Sequence, residues 1–375
     1  MVKFEDMNAH HASAWYKNRI DFRSFRKDWS SPNFDYAEAP ELFRTIPMKA
    51  KCWSIPSQID VRRVVAGCWD QHLHCFDPET HETVWTREVD GPVYSSPSVL
   101  ADGSFVVGTE GGTLFRFDKN GTEIWRHKAG DSFHSSPTVD LDRGRVYIGS
   151  FDSHMHVVDL NTGTLIWKKQ YEQKAYHDIC TSAALSRNGN IIFGSYKSLF
   201  CVSPDGDVVW KKSSQSLFDG SAALCHETGL GIVGTLEEGK FYVFDIKTGE
   251  FINEVETGAY AVTSPSIGPD RIACIGADNG RYFGVSLDTG NILWERNIGG
   301  HKFLYAAFTT LPTGHFMFVA LDEKIHCIDP YDGGVCWSIG APGGVHSGQL
   351  ATFNGYLIAG SHRDAIHFFR WPQIG

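Results

Sequence analysis

The sequence predicts an all-β chain: a single eight-bladed β-propeller of four-stranded blades, with its ring closed by an N-terminal outer strand. A motif recurs about every 40 residues, most copies end in a tryptophan, and one copy has no outer strand at the C-terminal end. The 375 residues include 38 Gly and 25 Phe, which favours short strands joined by tight turns. This length would otherwise suggest more than one domain, but a repeat ring is continuous.

Each copy of the motif predicts four strands. In one copy Ser95-Ser96-Pro97 opens the inner strand, and the next three strands end near Gly108, Asp118 and Trp125. The landmark that ends the second strand recurs at Gly67, Gly108, Gly149, Gly194, Gly234, Gly276, Ala320 and Gly360. A period near 40 residues with four strands per copy is typical of propeller blades.

The tryptophans predict how the ring closes. They recur on the outer strands at Trp85, Trp125, Trp167, Trp210, Trp294 and Trp337, with Phe251 in the remaining copy. One period beyond Trp337 lies past Gly375, whereas one period before Trp85 is Phe43. We therefore expect the eighth blade to take its outer strand from residues 38–48, whose loss would expose an unpaired edge.

The propeller is predicted to span residues 38–375, with residues 1–37 as an N-terminal arm. Trp15, Phe22 and Trp29 are seven residues apart, a spacing that favours a short amphipathic helix packed on the propeller. The basic residues between them could instead contact an acidic partner. Both interpretations of the arm stay open.

Charge and cysteine usage narrow the classes of function. A formal net charge of −10 disfavours binding to nucleic acid or to an anionic membrane, because both need a positive field. The first ten residues contain no apolar run, so the sequence predicts a cytoplasmic protein with neither signal peptide nor membrane anchor. The nine cysteines are scattered singly, which disfavours a zinc site or a disulfide framework.

Two segments resemble a known repeat family. Residues 158–167, which read VDLNTGTLIW, and residues 285–294, which read VSLDTGNILW, look like the tryptophan-docking repeat of the quinoprotein alcohol dehydrogenase superfamily, the pyrroloquinoline-quinone-like propellers. The resemblance covers about residues 41–375 and implies the fold. The family includes quinone-dependent dehydrogenases, a periplasmic scaffold lipoprotein of outer-membrane β-barrel assembly, and propeller domains of adenylating enzymes, so it implies no single activity.

The redox branch of that family departs from this chain. Its enzymes stack the quinone on a disulfide of two adjacent cysteines beside a calcium ion, and this chain has no adjacent cysteines. We therefore expect neither bound pyrroloquinoline quinone nor another cofactor. Quinone-dependent oxidation is the least favoured of the activities considered.

Residue types that recur at one position around the ring are explained by blade packing. One such position on the third strand holds His74, Phe115, His156, Phe200, Tyr242, Phe283, His326 and His367. We interpret these histidines as core aromatics with a polar atom. The acids Asp70, Glu110, Asp152, Glu237, Asp278 and Asp322 follow the landmark and are interpreted as turn residues that bond their own backbone.

The position before the Ser-Ser-Pro equivalent does not repeat. Here the chain crosses from the outer strand of one blade to the inner strand of the next. The residues are Trp53, Tyr94, His134, Cys180, Asp219, Val262, Tyr305 and His346. Because these side chains suit proton transfer, hydrogen bonding and stacking, they predict a ligand pocket at the mouth of a central funnel.

Longer crossings add further candidate residues, since insertions on one face of a repeat protein tend to build its binding surface. The predicted catalytic residues are His134, His177, Tyr94, Tyr305, Asp178 and Asp219. The predicted ligand contacts are Trp53, Trp69, Tyr176, Phe133, Phe218, Tyr260, His301, Phe303, His346, His362 and Arg363. No metal is expected, although a metal held by His134, His177, His346 and Asp219 is an open alternative.

Two functions from different classes fit these residues. The first is a cytoplasmic enzyme or binder whose funnel takes a small or peptide-like molecule, with His, Tyr and Asp performing non-redox acid–base catalysis such as isomerisation, cyclisation, elimination or hydrolysis. The alternative is a non-catalytic scaffold that holds a partner protein through aromatic loops. Neither function involves nucleic acid or a membrane.

Overall fold

In the computed structural model, the described residues are 35–36, 38–172, 179, 181–261, 263–299, 307–311, 313–351 and 355–373, with the backbone alone at 345–351. Their strands form eight antiparallel sheets of four, as predicted. A 3₁₀ turn at Pro269–Arg271 is the one helical element among them. No helix in these ranges is long and apolar enough to span a bilayer. The helix predicted from Trp15, Phe22 and Trp29 falls outside the part that is described.

The first four blades follow one another along the chain. Blade one is β2 (Ser57–Asp60), β3 (Arg63–Gly67), β4 (His72–Phe76) and β5 (Thr83–Glu88). Blade two is β6 (Ser98–Val99), β7 (Phe105–Gly108), β8 (Thr113–Phe117) and β9 (Glu123–Lys128). Blade three is β10 (Thr138–Asp140), β11 (Arg145–Gly149), β12 (His154–Asp159) and β13 (Leu165–Gln170). Blade four is β14 (Ala184–Leu185), β15 (Ile191–Ser195), β16 (Ser198–Val202) and β17 (Val208–Ser213).

The last four blades repeat this order, and the final one is completed by the N-terminal strand. Blade five is β18 (Ala223–Cys225), β19 (Leu230–Gly234), β20 (Lys240–Asp245) and β21 (Phe251–Glu256). Blade six is β22 (Ser266–Ile267), β23 (Ile272–Gly276), β24 (Arg281–Ser286) and β25 (Ile292–Asn297). Blade seven is β26 (Thr309–Thr310), β27 (Phe316–Ala320), β28 (Lys324–Ile328) and β29 (Val335–Gly340). Blade eight is β30 (Val345–Ala351), β31 (Tyr356–Ser361), β32 (Ala365–Arg370) and β1 (Glu41–Pro47).

The seam between the two chain ends confirms the predicted closure. Strand β1 pairs antiparallel with β32 from Glu41 opposite Arg370 to Pro47 opposite Ala365. Beyond the strands, the Trp371 indole nitrogen donates to the Glu38 carbonyl oxygen at 3.1 Å. The seam is therefore a full strand pairing with a buried tryptophan beside it.

Hydrophobic cores form where neighbouring blades pack face to face. One core joins Val65 and Leu73 of blade one to Phe105 and Val107 of blade two. Short runs of β-branched and aromatic residues make strands buried on both faces here, because each sheet packs between two others. Burial of these apolar faces is the main force that holds the ring together.

Outer-strand tryptophans link neighbouring blades. Five of them donate their indole N–H to a main-chain oxygen of the following blade: Trp85 to Lys119, Trp125 to Leu160, Trp167 to Pro204, Trp210 to Ile246 and Trp294 to Pro330. The ring of Trp294 lies against Gly333, where an added Cβ would come within 2.5 Å and φ is +71°. In blade five, where Phe251 replaces the tryptophan, Asn253 donates to the Gly290 oxygen instead.

Two details of the sequence interpretation were wrong. Cys52 and Cys68 form a disulfide, although the scattered cysteines disfavoured a disulfide framework. The two residues, 16 apart in the sequence, meet because Cys52 enters blade one where Cys68 leaves its second strand. In blade seven the landmark is Val319 rather than Ala320, since Val319 pairs with Ile325 as Gly149 pairs with Met155. The other described cysteines are free.

Candidate functional site

Two non-repeating positions meet at one end of the ring. One is the crossing position already described; the other, here called the exit position, is the second residue after each landmark. The exit residues are Trp69, Glu110, Phe151, Tyr196, Leu236, Asp278, Leu321 and His362. The main-chain N–H of Trp69 donates to the Lys51 oxygen and that of Glu110 to the Pro92 oxygen, both at 2.8 Å. We call the surface that carries both positions the crossing face.

Six side chains of the crossing face form a continuous cluster over blades eight, one, two and three. This cluster, the aromatic arc, consists of Trp53, Trp69, Tyr94, His134, Phe151 and His362. Trp53 is at its centre, with ring centroids 4.5 Å from Trp69, 5.8 Å from Tyr94 and 5.4 Å from His362, all edge to face. Edge-to-face pairs at these distances are favourable beyond the area that they bury.

The other end of the arc is a stack on His134. Its ring centroid is 3.7 Å from that of Tyr94 and 5.3 Å from that of Phe151. Tyr94 and His134, both predicted to belong to one pocket, are thus in direct contact. Trp69 is 37% exposed, and the other rings of the arc are half-buried, so a partner molecule could contact them without rearrangement of the core.

A carboxylate that the sequence interpretation did not include in the candidate site approaches His134. Its Nδ1 is 3.0 Å from Oε1 of Glu110, but the two atoms are not aligned for a hydrogen bond. Glu110 lies in the predicted turn between β7 and β8, and its count from Gly108 places it at the exit position, facing the next crossing. Counting from the landmark could have revealed this. The carboxylate and the imidazole are therefore close enough to act on the same bound molecule.

Cations flank the blade-eight end of the arc. Lys51 Nζ lies 4.9 Å from the Trp53 ring centroid, and within the described residues no carboxylate pairs with it. Burial lowers the pKa of His362, with a further contribution from the charge of Lys51. Arg363, predicted as an anion contact, is paired with Glu323 at 3.0 Å.

The remaining predicted residues fall into three groups. Phe133 and Phe218 are buried against Gly108 and Gly194 of the preceding blades, so packing replaces the predicted ligand contact. Tyr260 is exposed, and Asp219 is half-buried at the crossing between blades four and five. The residues Tyr176, His177, Asp178, His301, Phe303 and Tyr305 lie outside the described part of the chain, and His346 is described by its backbone alone.

The third-strand histidines have the packing role that their recurrence predicted. In blade three, Nε2 of the buried His156 bonds the Asp152 carboxylate at 2.9 Å. Burial opposes ionisation of Asp152, but His156 and main-chain N–H donors outweigh it and hold the pKa of this carboxyl well below its usual range. His326 and Asp322 form the same pair in blade seven.

Blade one carries this pair in a different setting. His74 Nε2 is 3.0 Å from Asp70 Oδ2, and the residue before the exit position is Cys68. The ligand atoms of Cys68, Asp70 and His74 all lie within 4.8 Å of one another, which makes them a possible metal-ligand group. Burial lowers the pKa of His74 despite the neighbouring Asp70 carboxylate, which favours the neutral imidazole.

Comparisons with known proteins support the repeat interpretation. A family model described as "Outer membrane protein assembly factor BamB" matches residues 69–217 and 196–344. The BamB of Shewanella oneidensis is 20% identical over 323 residues, 82% of this chain and 71% of that protein. The β-alanine-activating enzyme of Drosophila melanogaster is 28% identical over 109 residues, which span only 11% of its length.

Solved structures show the same fold. The crystal structure of BamB from Moraxella catarrhalis has a TM-score of 0.71 at 14% identity and covers 89% of this chain and all of its own. The computationally designed protein Ika8 has a TM-score of 0.72 at 16% identity, over 88% of this chain and all of its own. The family model and the eight four-stranded blades agree, and the chain belongs to the BamB-like family of pyrroloquinoline-quinone-like propeller repeats.

Proposed function

We propose that this chain is a non-catalytic scaffold that binds a partner protein through the aromatic arc. The observation that carries the proposal is the contiguity of six half-buried or exposed rings at positions where the repeat imposes no residue type. Trp and Tyr contribute most to protein interfaces because they bury large areas with few rotatable bonds. The relatives named as assembly factors of outer-membrane proteins support a role in holding other proteins.

The arc is also rigid, which favours binding. Trp53 and Trp69 follow Cys52 and Cys68 in the sequence, so the disulfide joins the two backbone segments that present them. Binding a partner costs little conformational entropy at these rings, because they are already held in place. Blade packing therefore provides a preformed surface rather than a flexible loop.

The charge next to the arc indicates the chemistry of the partner. Lys51 adds a cation beside Trp53, and the chain as a whole is acidic. A segment with apolar side chains next to a carboxylate would bury the former on Trp53 and Trp69 and pair the latter with Lys51. We expect Lys51→Glu to weaken the complex and to reverse its salt dependence, because attraction becomes repulsion.

A second candidate rests on one observation. His134 is held between the Tyr94 ring and the Glu110 carboxylate, an arrangement that suits acid–base catalysis on a small or peptide-like ligand. The scaffold is the stronger proposal because the assembly-factor relatives support it. The cytoplasmic location, the absence of a cofactor and the roles of the other predicted catalytic residues stay predictions.

Photo-crosslinking in the native cell tests the scaffold. A photoreactive phenylalanine analogue replaces Trp69 on the arc or, as the control, Val84, which is exposed on the outer strand of the same blade. We expect one protein to crosslink at residue 69 and not at residue 84. Equal crosslinking at both positions, or crosslinking at residue 84 alone, would contradict a role for the arc.

The His134→Ala variant separates the two candidates. If the chain is a scaffold, the purified crosslinked partner still binds the variant. Its affinity falls by no more than the contribution of one ring contact. If the chain is an enzyme, the variant keeps a small molecule bound that the wild type converts. Native mass spectrometry detects this molecule on the variant. A ligand turned over by the wild type and unchanged by the variant would overturn the scaffold proposal.

A further inference from the structure

Blade one departs from the repeat at two adjacent points. The position of Cys52 holds the apolar residues Val93 and Phe133 in the next two blades, and the position of Cys68 holds Thr109 and Ser150. Neither cysteine is required by blade packing, because the other described blades pack without one there. The two cysteines nevertheless lie next to each other in space, where they form the disulfide.

The same place carries the Asp–His pair of blade one. Asp70 accepts from His74 at 3.0 and 3.2 Å, and its Oδ1 also accepts the main-chain N–H of His72 at 3.1 Å. Blade three has the equivalent pair, Asp152 and His156. Blade three carries Ser150 where blade one carries Cys68. Among the residues that the structure describes, only blade one places sulfur beside a carboxylate and an imidazole in a group of three ligands.

We propose that reduction of the Cys52–Cys68 disulfide creates a binding site for Zn²⁺. Cys68, Asp70 and His74 would supply a thiolate, a carboxylate and an imidazole, and Cys52, freed at the same point, would supply the fourth ligand. This donor set is one that zinc takes in proteins. The ligand atoms of Cys68, Asp70 and His74 already lie within 4.8 Å of one another, and the Cys52 sulfur is bonded to that of Cys68.

The redox step needs a dithiol reductant. Its two thiols exchange with the cystine, so that two electrons and two protons pass to the protein, the Cys52–Cys68 bond breaks and the reductant becomes a disulfide. Zn²⁺ then displaces the two thiol protons to solvent. In a reducing compartment the pair would rest as thiols, and the metal would then join the segments that the disulfide joins in the oxidised chain.

The consequence concerns the arc directly above this site. Trp53 and Trp69 follow the two cysteines, so either the disulfide or the metal would fix the two backbone segments that carry them. The reduced, metal-free chain would leave them less constrained. The inference goes beyond the proposed function and does not depend on it, because the metal binds whether or not a partner does.

Cobalt titration of the full chain tests the proposal. Co²⁺ replaces Zn²⁺ as the probe because thiolate ligation gives a charge-transfer absorption band. We expect the reduced protein to bind one equivalent with this band and the oxidised protein to show none. Cys52→Val, which carries the residue of blade two at this position, should bind Co²⁺ without any reductant, because Cys68 then has no disulfide partner.

Variants borrowed from other blades supply the controls. The double variant with Cys52→Val and Cys68→Ser, which leaves no thiol at the site, should abolish the band, and His74→Phe, the residue of blade two, should weaken binding by more than about tenfold. His156→Phe makes the same change in blade three and should bind as the wild type does. Zn²⁺ should raise the melting temperature of the reduced wild type but not that of His74→Phe. This difference would show that the variant is folded and has lost the site.

Several results would overturn the inference. A band of equal strength in the oxidised protein or in the double variant with Cys52→Val and Cys68→Ser would place the cobalt on another thiol, such as the exposed Cys336. If His74→Phe bound Co²⁺ with wild-type affinity, the His74 imidazole would not be a ligand. The same loss in His156→Phe as in His74→Phe would show a general effect on stability.

Discussion

Trp69 and Trp294 show two uses of one residue type in the same ring. Trp294 is 6% exposed, donates to the Pro330 oxygen at 2.9 Å and packs against Gly333 of the next blade. Trp69 is 37% exposed and contacts Trp53 on the crossing face. Tryptophan recurs around the ring at the position of Trp294, but it does not recur at the position of Trp69. Side chains that repeat therefore hold the fold, whereas side chains that break the repeat are available for binding.

The seam strand β1 provides the strongest test of the repeating part. Deletion of residues 1–48 removes the pairing with β32 and the Glu38 acceptor of Trp371. We expect the loss of cooperative unfolding and the appearance of oligomers, because β32 becomes an open edge. Circular dichroism during heating and size-exclusion chromatography measure both effects.

Deletion of residues 1–34 alone is the matched control. It keeps β1 and the contacts of Tyr36 with Trp371, so the ring should stay closed and monodisperse. A deletion of residues 1–48 that unfolds cooperatively near the wild-type temperature would show that the ring does not need this strand.

Trp294 and Trp337 sharpen the comparison within the repeating positions. Both are buried to the same degree, but Trp337 Nε1 has no hydrogen-bond partner within the described residues. Replacement of Trp294 by Phe removes the donor of a buried carbonyl and should cost about 1 kcal/mol more than the same change at Trp337. Urea denaturation of both variants gives the difference. Equal losses would mean that indole packing alone links the blades.

His127 tests a smaller, pH-dependent contribution to the ring. Burial, with the neighbouring His156, lowers its pKa from 6.5 to about 4. Protonation therefore favours the unfolded chain: the contribution of neutral His127 to stability is complete above about pH 6.5 and is lost as the pH falls toward 4. We expect His127→Gln to reduce the loss of stability between pH 7 and pH 5.

Urea denaturation at these two pH values measures that effect. His315, whose pKa is also lowered by burial, gives a matched variant, His315→Gln, on the other side of the ring. An unchanged pH dependence in His127→Gln would show that this histidine is hydrated in the folded state.

The sequence was sufficient for the fold because the information is repeated. Gly67 and its equivalents, together with the tryptophans, set the register of each blade several times over, so a local departure such as Phe251 does not hide the period. Closure through Phe43 followed from the same count. The error at Ala320 arose where blade seven carries Val319 at the landmark instead of glycine.

The candidate site was harder to predict because its contacts join different blades. The crossing position could be read from the sequence, and the contact of Tyr94 with His134 follows from ring order. The approach of Glu110 to His134 depends on side-chain direction, and the Cys52–Cys68 bond on the meeting of two loops. The Asp70–His74 spacing of four residues, repeated at Asp152–His156, was visible in the sequence.

The most direct test compares the two tryptophans in one pair of variants. With the partner identified by crosslinking, Trp69→Ala should weaken its affinity by about tenfold or more and leave the melting temperature unchanged. Trp294→Ala should destabilise the ring by about 3–5 kcal/mol, while its folded fraction binds with wild-type affinity. Wild-type affinity in Trp69→Ala would contradict the division between repeating residues that hold the ring and non-repeating residues that bind.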